Sequence, residues 1–224
     1  MTTENALSYV EARQEIVATI QKLAETRVLS RSGHANVSAR VGQDRMLLTN
    51  RGMVRNIAIS DMAVVDLNGN AIEGILDPTN QEIVDMHSRV YRLRSGVGGI
   101  VHTHAPWLLS FAMANEPLPA RYEALLRFGQ AVDVPVVPWA PRGTDASVSG
   151  IVEAFRDEPA TQAVLLGNHG VLVLGDTPLA AASLLAVLEE AAEAELAGRA
   201  IGGAKNLPED ALLHIREAMA VHQG

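Results

Sequence analysis

The sequence predicts an α/β domain in which an antiparallel sheet is the major component. Apolar segments of strand length alternate with segments of helical periodicity. The strand-like runs 46–49 and 62–67 come in succession, and the second ends in Asn68-Gly69-Asn70, a sequence typical of a tight turn between strands. A second pair of runs, 163–166 and 171–174, flanks the short segment Gly167-Asn168-His169-Gly170. Tight hairpins interspersed with helices indicate this mixed architecture.

Helices are predicted from apolar spacing and from residues typical of helix ends. Residues 4–28 have apolar side chains on one face, and Pro78 and Thr79 open a second helix over 78–94. Asp176-Thr177-Pro178 is an N-terminal cap for a long helix over 179–197. Its clustered glutamates predict a solvated face, with packing between subunits as the alternative. Further helices are expected at 106–115, 146–157 and 208–221.

Three other segments complete the predicted elements. Residues 97–101 form a strand that ends at a pair of histidines, and 134–138 form an edge strand, because its two prolines cannot serve a central ladder. Residues 30–40 are a polar, glycine-containing segment, for which no secondary structure is predicted. No repeat or change in composition divides the chain, so residues 1–224 are expected to form a single domain.

Composition excludes several classes of function. A net charge of -8 argues against nucleic-acid binding and against an anionic membrane surface. The absence of cysteine excludes disulfides, thiolate zinc sites and cysteine nucleophiles. The N-terminal residues lack the pattern of a signal peptide, and no apolar run approaches the roughly 20 residues that span a bilayer. These features predict a cytoplasmic protein that acts on a small molecule.

Three of the seven histidines form a candidate metal site. His102 and His104 end the apolar run 97–101, and the period of two in a strand points both imidazoles to the same side. His169 lies between glycines in the turn at 167–170, where a side chain can project toward a ligand. Three imidazoles with an open fourth position are typical of a catalytic metal site.

Other interpretations of the histidines stay open at this stage. His102 and His104 also fit core histidines that bond to the backbone. His34 is expected at the surface, and His214 and His222, in the C-terminal helix, are expected to be solvated.

Metal-assisted chemistry also needs groups that move protons. Glu82 and Asp85 lie at the start of the helix that precedes the metal strand, where acidic residues are also favoured simply by the helix dipole. Tyr122 is one of only three tyrosines, and it fits either a proton donor or a surface aromatic residue.

Four segments in order resemble the class II aldolase/adducin family, which includes fuculose-phosphate aldolase and ribulose-phosphate 4-epimerase. The resemblance covers about residues 10–200, and Gly143-Thr144 also fits a family loop. The four segments are Asn36-Val37-Ser38 with Arg40, Leu48-Thr49-Asn50-Arg51-Gly52, Ile100-Val101-His102-Thr103-His104, and Gly167-Asn168-His169-Gly170.

The resemblance implies a fold, an assembly and a set of site residues. It implies a three-layer α/β/α fold with a central, mainly antiparallel sheet, and a homotetramer with sites between subunits. A divalent metal, usually zinc, with Mn²⁺, Co²⁺ or Fe²⁺ as alternatives, would bind the three histidines, and Tyr122 would reach the site of a neighbouring subunit. The implied substrate-binding residues are Asn36, Thr49, Arg51, Gly52 and Asn80.

The acid/base residue departs from the family pattern. The family commonly has Ser-Ser-Glu or Ser-Lys-Glu before the helix, whereas this chain has Thr79-Asn80-Gln81-Glu82. Counting back from His87 and Tyr91, which match the family helix, places Ile83 at the acid position. Glu82 is the candidate acid/base, although a slip of one residue rotates a helical side chain by about 100°.

Arg51 indicates which acidic group the substrate carries. It replaces one of the small hydroxyl residues that bind phosphate in sugar-phosphate members, and Asn80 replaces another. Arg51 is either a surface residue or a planar donor to a substrate carboxylate. These features favour a carboxylate substrate over a phosphate. With the metal-dependent carbon–carbon lyase that the resemblance implies, they favour decarboxylation of a hydroxy-carboxylate, including the aromatic dihydroxy acids on which some family members act. The alternatives are a sugar-phosphate aldolase or 4-epimerase, a non-catalytic adducin-like module, and an iron oxygenase.

Overall fold

One sheet of eight strands forms the centre of the computed structural model, which describes residues 9–221. The strands lie in the order β4-β3-β2-β1-β5-β8-β7-β6, and every neighbouring pair is antiparallel except β6 with β7. The predicted mainly antiparallel sheet is confirmed. In chain order the strands are β1 (Ala35–Arg40), β2 (Arg45–Thr49), β3 (Met62–Asp66), β4 (Ala71–Glu73), β5 (Gly99–Thr103), β6 (Val136–Val137), β7 (Ala163–Leu166) and β8 (Gly170–Gly175).

Seven helices accompany the sheet within the described residues. A 3-10 turn, Pro78–Asn80, leads into α2, and Asp77 accepts a hydrogen bond from the Thr79 backbone N–H at its start. The predicted first helix included residues 4–8, which lie outside the described residues. The helices are α1 (Tyr9–Glu25), α2 (Gln81–Leu93), α3 (Pro106–Ala114), α4 (Glu123–Arg127), α5 (Asp145–Asp157), α6 (Pro178–Arg199) and α7 (Ala211–Val221).

Strand β1 is the main element that the sequence pattern missed. Its residues, Ala-Asn-Val-Ser-Ala-Arg, do alternate apolar and polar side chains, but only Val37 among them is a typical strand former. The segment is extended because it pairs with β2 on one side and with β5 on the other, and nearly all of it is buried. Tertiary pairing therefore decides this conformation, since intrinsic strand propensity is weak. The short elements β4 and α4 were also missed.

The helices cover both faces of the sheet. One face packs against α1, α3, α4 and α6, and the other packs against α2 and α5. Strand β8 shows the division, because Val171 and Val173 face the first group whereas Leu172 and Leu174 face the second. The expected three-layer α/β/α fold is confirmed.

The topology brings the three candidate metal ligands to one end of the sheet. Strands β5 and β8 are antiparallel neighbours, with His102 opposite Leu172 and Thr103 opposite Val171. The end of β5, which bears His102 and precedes His104, therefore lies beside the start of β8, which follows His169.

The glutamates of α6 do not form a solvated face. Glu190 and Glu193 are exposed, but Glu189 and Glu195 are each only 8% exposed. Glu189 accepts hydrogen bonds from the first backbone N–H groups of α3, and Glu195 binds Arg121. The prediction was wrong for these two residues because their partners lie more than seventy residues away in the chain. None of the helices within residues 9–221 is long and apolar enough to cross a membrane.

Candidate metal and substrate site

Three imidazoles meet where the end of β5 lies beside the turn between β7 and β8. The ring centroids of His102, His104 and His169 are 4.8–5.1 Å apart. One nitrogen from each ring lies within 4.8 Å of the other two. His102 is buried and the other two rings are partly buried, so the cluster opens to one side.

Hydrogen bonding fixes which nitrogen of His102 is available. Its Nδ1 lies 2.9 Å from the carbonyl oxygen of Val171, which can only accept, so Nδ1 bears the proton. The lone pair is then on Nε2, as in metal sites where a carbonyl orients the ligand. In His104 the Nε2 atom is buried and has no hydrogen-bond partner within the described chain. A buried nitrogen without a partner is costly, and a metal ion would satisfy it.

All three rings are held in the neutral form that binds metals. Burial, and after it the neighbouring His169 and His104, lowers the pKa of His102 well below its usual 6.5. Burial, with His169, His34 and Arg142 nearby, lowers the pKa of His104 to about 4. Burial and Arg142 also lower the pKa of His169, although Glu82 opposes them. The donor set therefore fits a divalent cation without first releasing protons at neutral pH.

Small residues allow the histidine rings to approach. A Cβ atom at Gly170 would lie 2.5 Å from the carbonyl oxygen of Thr103 and 2.8 Å from Cδ2 of His104. At Gly167 it would lie 2.6 Å from Oδ1 of Asn115. The turn between them needs a left-handed residue, and Asn168, with φ of 56°, provides it. The Gly-Asn-His-Gly sequence is therefore required by the packing of the site.

The histidines face a cavity of about 360 Å³. One part of its wall is apolar and includes Trp139, which is 62% exposed. Arg142 is the single lysine or arginine among the described residues that line it. The other apolar lining residues include Ile83, Met86, Val137, Val148 and Ile151.

Glu82 lies in the cavity wall. Its carboxylate accepts hydrogen bonds from Ser147 Oγ at 2.5 Å and from Arg142 Nε at 3.2 Å. Burial raises its pKa, but hydrogen bonds from Ser147, from the Gly143 backbone and from Arg142 outweigh burial, so the net pKa is below its usual 4.5. Ile83, at the family's acid position, also lines the cavity but cannot move a proton.

The structure brings some of the expected substrate-binding residues to the cavity. Asn36, Gly52 and Asn80 line it. Thr49 is fully buried beneath it, where its hydroxyl accepts a hydrogen bond from the Val37 backbone N–H at 3.3 Å.

Arg51 and Tyr122 do not line the cavity within a single chain. The guanidinium of Arg51 binds Asp61 at 2.7 Å, and its role in substrate binding stays a prediction. Tyr122 is 41% exposed and immediately precedes α4. Asp85, the other acidic residue of the helix start, binds Arg89.

Several polar residues of the cavity were not among the predicted site residues, including His34, Arg142 and Ser147. His34 is exposed, as expected, and also lines the cavity, and its Nδ1 lies 3.1 Å from Ser32 Oγ. Arg142 lies in a Pro-Arg-Gly-Thr loop that follows the proline-rich strand. The only available signals were the proximity of His34 to Asn36 and of Arg142 to Gly143-Thr144. His214 is exposed beside Asp210, and His222 lies outside the described residues.

A sheet covered by helices on both faces, with three neutral imidazoles and a carboxylate at one end, defines a metal-binding α/β enzyme. The model of the class II aldolase and adducin N-terminal domain matches residues 14–196. The chain belongs to the class II aldolase and adducin family, so the resemblance seen in the sequence is confirmed.

Curated relatives include both aldolases and decarboxylases. The chain is 31% identical over 150 residues to 5-deoxy-D-ribulose 1-phosphate aldolase of Bacillus thuringiensis serovar kurstaki, covering 67% of each chain. It is 29% identical over 224 residues to 3,4-dihydroxyphthalate decarboxylase of Arthrobacter keyseri, covering 92% of this chain and 87% of that one. Among solved structures, an L-fuculose 1-phosphate aldolase superposes with a TM-score of 0.82 at 27% identity, covering 96% and 99% of the two chains. Both activities are lyase reactions, and the expectation of a metal-dependent lyase is confirmed.

Proposed function

We propose that this chain is a decarboxylase that acts on a hydroxy-carboxylate, with aromatic dihydroxy acids as the preferred substrate class. The observation that supports it most directly is the position of Arg142. This permanent cation lies in the cavity wall beside Glu82, and its charge lowers the pKa values of His104 and His169. A guanidinium provides two parallel donors that match a carboxylate. Arg142 lines the cavity whereas Arg51 does not, and the bond to Glu82 engages only its Nε, so Arg142 replaces Arg51 as our candidate for substrate binding.

The hydroxyl groups of the cavity argue against a phosphate. Thr79 Oγ1 donates to Asp77 at 2.7 Å, and Ser147 Oγ donates to Glu82 at 2.5 Å. Both hydroxyls that line the described cavity are thus already engaged with carboxylates of the protein. A phosphate would lack these two hydroxyl donors, whereas a carboxylate can bind the guanidinium of Arg142 without them.

The apolar part of the wall favours a flat, apolar substrate body. Trp139 is largely exposed at the cavity, and Ile83 and Ile151 lie in the same wall. Binding sites of this kind hold the apolar part of a ligand by packing and orient it with a few polar groups. The relative named 3,4-dihydroxyphthalate decarboxylase is consistent with an aromatic acid.

His102, His104 and His169 would hold the metal ion, and we propose zinc because three neutral imidazoles suit it. When bound, the cation would supply Lewis acidity that stabilises negative charge developing on the substrate. Glu82 is ionised at rest, since its pKa is low, and accepts the proton of a substrate hydroxyl. The bond between the ring carbon and the carboxylate carbon then breaks. Carbon dioxide leaves, and the electron pair of that bond stays on the ring carbon. Glu82 then returns its proton to that carbon.

The assembly is also part of the proposal. We propose a cytoplasmic homotetramer in which Tyr122 of a second copy reaches the cavity. Its exposure beside α4 leaves the ring available for such a contact.

The experiment measures carbon dioxide release by zinc-loaded protein from 3,4-dihydroxyphthalate and 2,3-dihydroxybenzoate. Glu82→Gln should lower kcat by at least about 100-fold while zinc content stays the same. Arg142→Ala should raise KM by about tenfold or more, and the matched control Arg51→Ala should leave KM unchanged. Full turnover by Glu82→Gln would refute its acid/base role.

Sugar-phosphate aldol cleavage, or 4-epimerisation by the same bond cleavage, is the second candidate. The similarity to an L-fuculose 1-phosphate aldolase over nearly the whole of both chains favours it. Aldehyde release from a ketose 1-phosphate, without carbon dioxide release from the aromatic acids, would establish this alternative.

A further inference from the structure

A buried chain of hydrogen bonds lies beneath the cavity floor. His87 Nε2 is 2.6 Å from Asn36 Oδ1, and His87 Nδ1 is 2.7 Å from Ser38 Oγ. The hydroxyl of Tyr91 lies 2.9 Å from the same Ser38 Oγ. His87 and Ser38 are at most 2% exposed, as is Tyr91, and Asn36 is 4% exposed. Only Asn36 of these four residues lines the cavity.

The direction of each hydrogen bond follows from the number of protons. His87 is fully buried without a carboxylate partner, and burial lowers its pKa to about 3, so the ring is neutral and has one N–H. If Tyr91 donates to Ser38, Ser38 donates to His87 Nδ1 and His87 Nε2–H donates to Asn36 Oδ1, every proton has an acceptor.

The reverse direction leaves one proton unsatisfied. If the Asn36 amide donated to His87 Nε2, the ring proton would lie on Nδ1 and donate to Ser38, whose own hydroxyl would then have to donate to Tyr91. The hydroxyl proton of Tyr91 would then have no acceptor within the described chain, in a place that water does not reach. A buried unsatisfied hydroxyl costs more than the bond is worth, so the first direction is favoured.

The orientation of Asn36 has a consequence for the cavity. Its Oδ1 is occupied by His87, so its remaining polar group is the Nδ2 amide, which makes no hydrogen bond within residues 9–221. Asn36 lies opposite His102 in the β1–β5 ladder, and residues so paired project from the same face of the sheet. The amide is thus a donor beside the metal ligands.

We propose that His87 is a positioning residue that holds the amide N–H₂ of Asn36 toward the cavity, where it donates to an anionic or carbonyl oxygen of the substrate. This inference rests on the proposed function for the identity of the substrate, but not for the direction of the hydrogen bonds. Ser38 and Tyr91 belong to the same hydrogen-bond chain, because they keep the His87 proton on Nε2.

The direction of these hydrogen bonds can be tested without any substrate. Histidine side chains labelled with ¹⁵N in zinc-loaded protein should include one ring with its proton on Nε2 and an unprotonated Nδ1 at pH 7. That signal should disappear in His87→Phe. A His87 signal with the proton on Nδ1 would overturn the proposal.

The positioning role is tested by a double-mutant cycle with calorimetric binding of 2,3-dihydroxybenzoate to zinc-loaded protein. His87→Phe should weaken binding about tenfold, the value of one hydrogen bond, and should have no effect in an Asn36→Ala background. His87→Gln keeps an N–H donor for Asn36 and should restore most of the affinity. Circular dichroism and zinc content check that each variant folds. An equal loss in the Asn36→Ala background would show a merely structural role and overturn the proposal.

A second probe separates this proposal from the decarboxylase. If wild-type protein binds phosphoglycolate but not the dihydroxybenzoate, the cycle is run with phosphoglycolate. The same non-additivity there would support the role of His87 while refuting the proposed substrate class. Binding of neither probe would overturn the positioning role as well.

Discussion

Glu189 stabilises the helix that follows the metal strand. Helix α3 begins at Pro106, two residues after His104, and its cap residue Ala105 has no side chain that can accept a hydrogen bond. The two carboxylate oxygens of Glu189 on α6 instead accept from the backbone N–H groups of Trp107, at 2.8 Å, and of Leu108, at 2.9 Å. The carboxylate therefore caps α3 from another helix, where negative charge is favoured.

Removing this carboxylate should cost a measurable part of the stability. Glu189→Ala leaves two donors unsatisfied, at about 1–3 kcal/mol each, and recovers part of the cost of burying the carboxylate. We expect the free energy of unfolding to fall by about 3 kcal/mol, which corresponds to a decrease in Tm of about 6–12 °C for a chain of this length. Glu189→Gln keeps one acceptor and should lose about half as much.

Urea and thermal unfolding of metal-free protein at neutral pH measure this effect. The matched control is Glu190→Gln, which changes the next, exposed residue of the same helix and should lie within about 0.5 kcal/mol of wild type. If Glu189→Ala were as stable as this control, the capping argument would be refuted.

The pH dependence of stability, compared between wild type and Glu189→Gln, gives a second test of this role. Burial raises the pKa of Glu189 above its usual 4.5, although the two backbone N–H groups oppose this. The carboxyl group of Glu189 thus binds a proton more tightly in the folded protein than in the unfolded chain. The stability that this protonation contributes is lost as the pH rises through the folded pKa. The stability of wild type relative to Glu189→Gln should therefore decrease as the pH rises above 4.5.

Two further predictions concern the metal centre. His104→Ala should weaken zinc binding by more than about 100-fold in a competition titration with a chelator, whereas His214→Ala, at an exposed position, should bind zinc as wild type does. Gly170→Ala should lose about 1–3 kcal/mol in urea unfolding and should also bind zinc less tightly, because its Cβ would overlap the Thr103 carbonyl and the His104 ring. Gly96→Ala, where a Cβ meets no neighbouring atom, is the control; equal zinc affinity in the two variants would count against the packing argument.

Local patterns in the sequence were sufficient for most elements and for the metal ligands. The hairpin signal at Asn68-Gly69-Asn70 and the strand before His102 depend on residues close together in the chain, and the structure has both features. The alternation of side chains along a strand similarly predicted that His102 and His104 share one side. Such features are visible because the interactions that determine them span only a few residues.

Polar residues with distant partners were not predictable in this way. Arg51 and Arg142 are both arginines in loops, yet one pairs with Asp61 and the other lies in the cavity beside Glu82, sixty residues away in the chain. Likewise, Glu189 and Glu190 are adjacent in the sequence, but only Glu189 is buried.

The sequence by itself determined the class of fold, the three imidazoles and the family. Only the tertiary structure decided that Arg142 rather than Arg51 lines the cavity of a single chain and that His87 pairs with the side chain of Asn36. The physical reason is that periodicity records which face of an element is apolar, whereas the partner of a polar group is chosen when the elements pack.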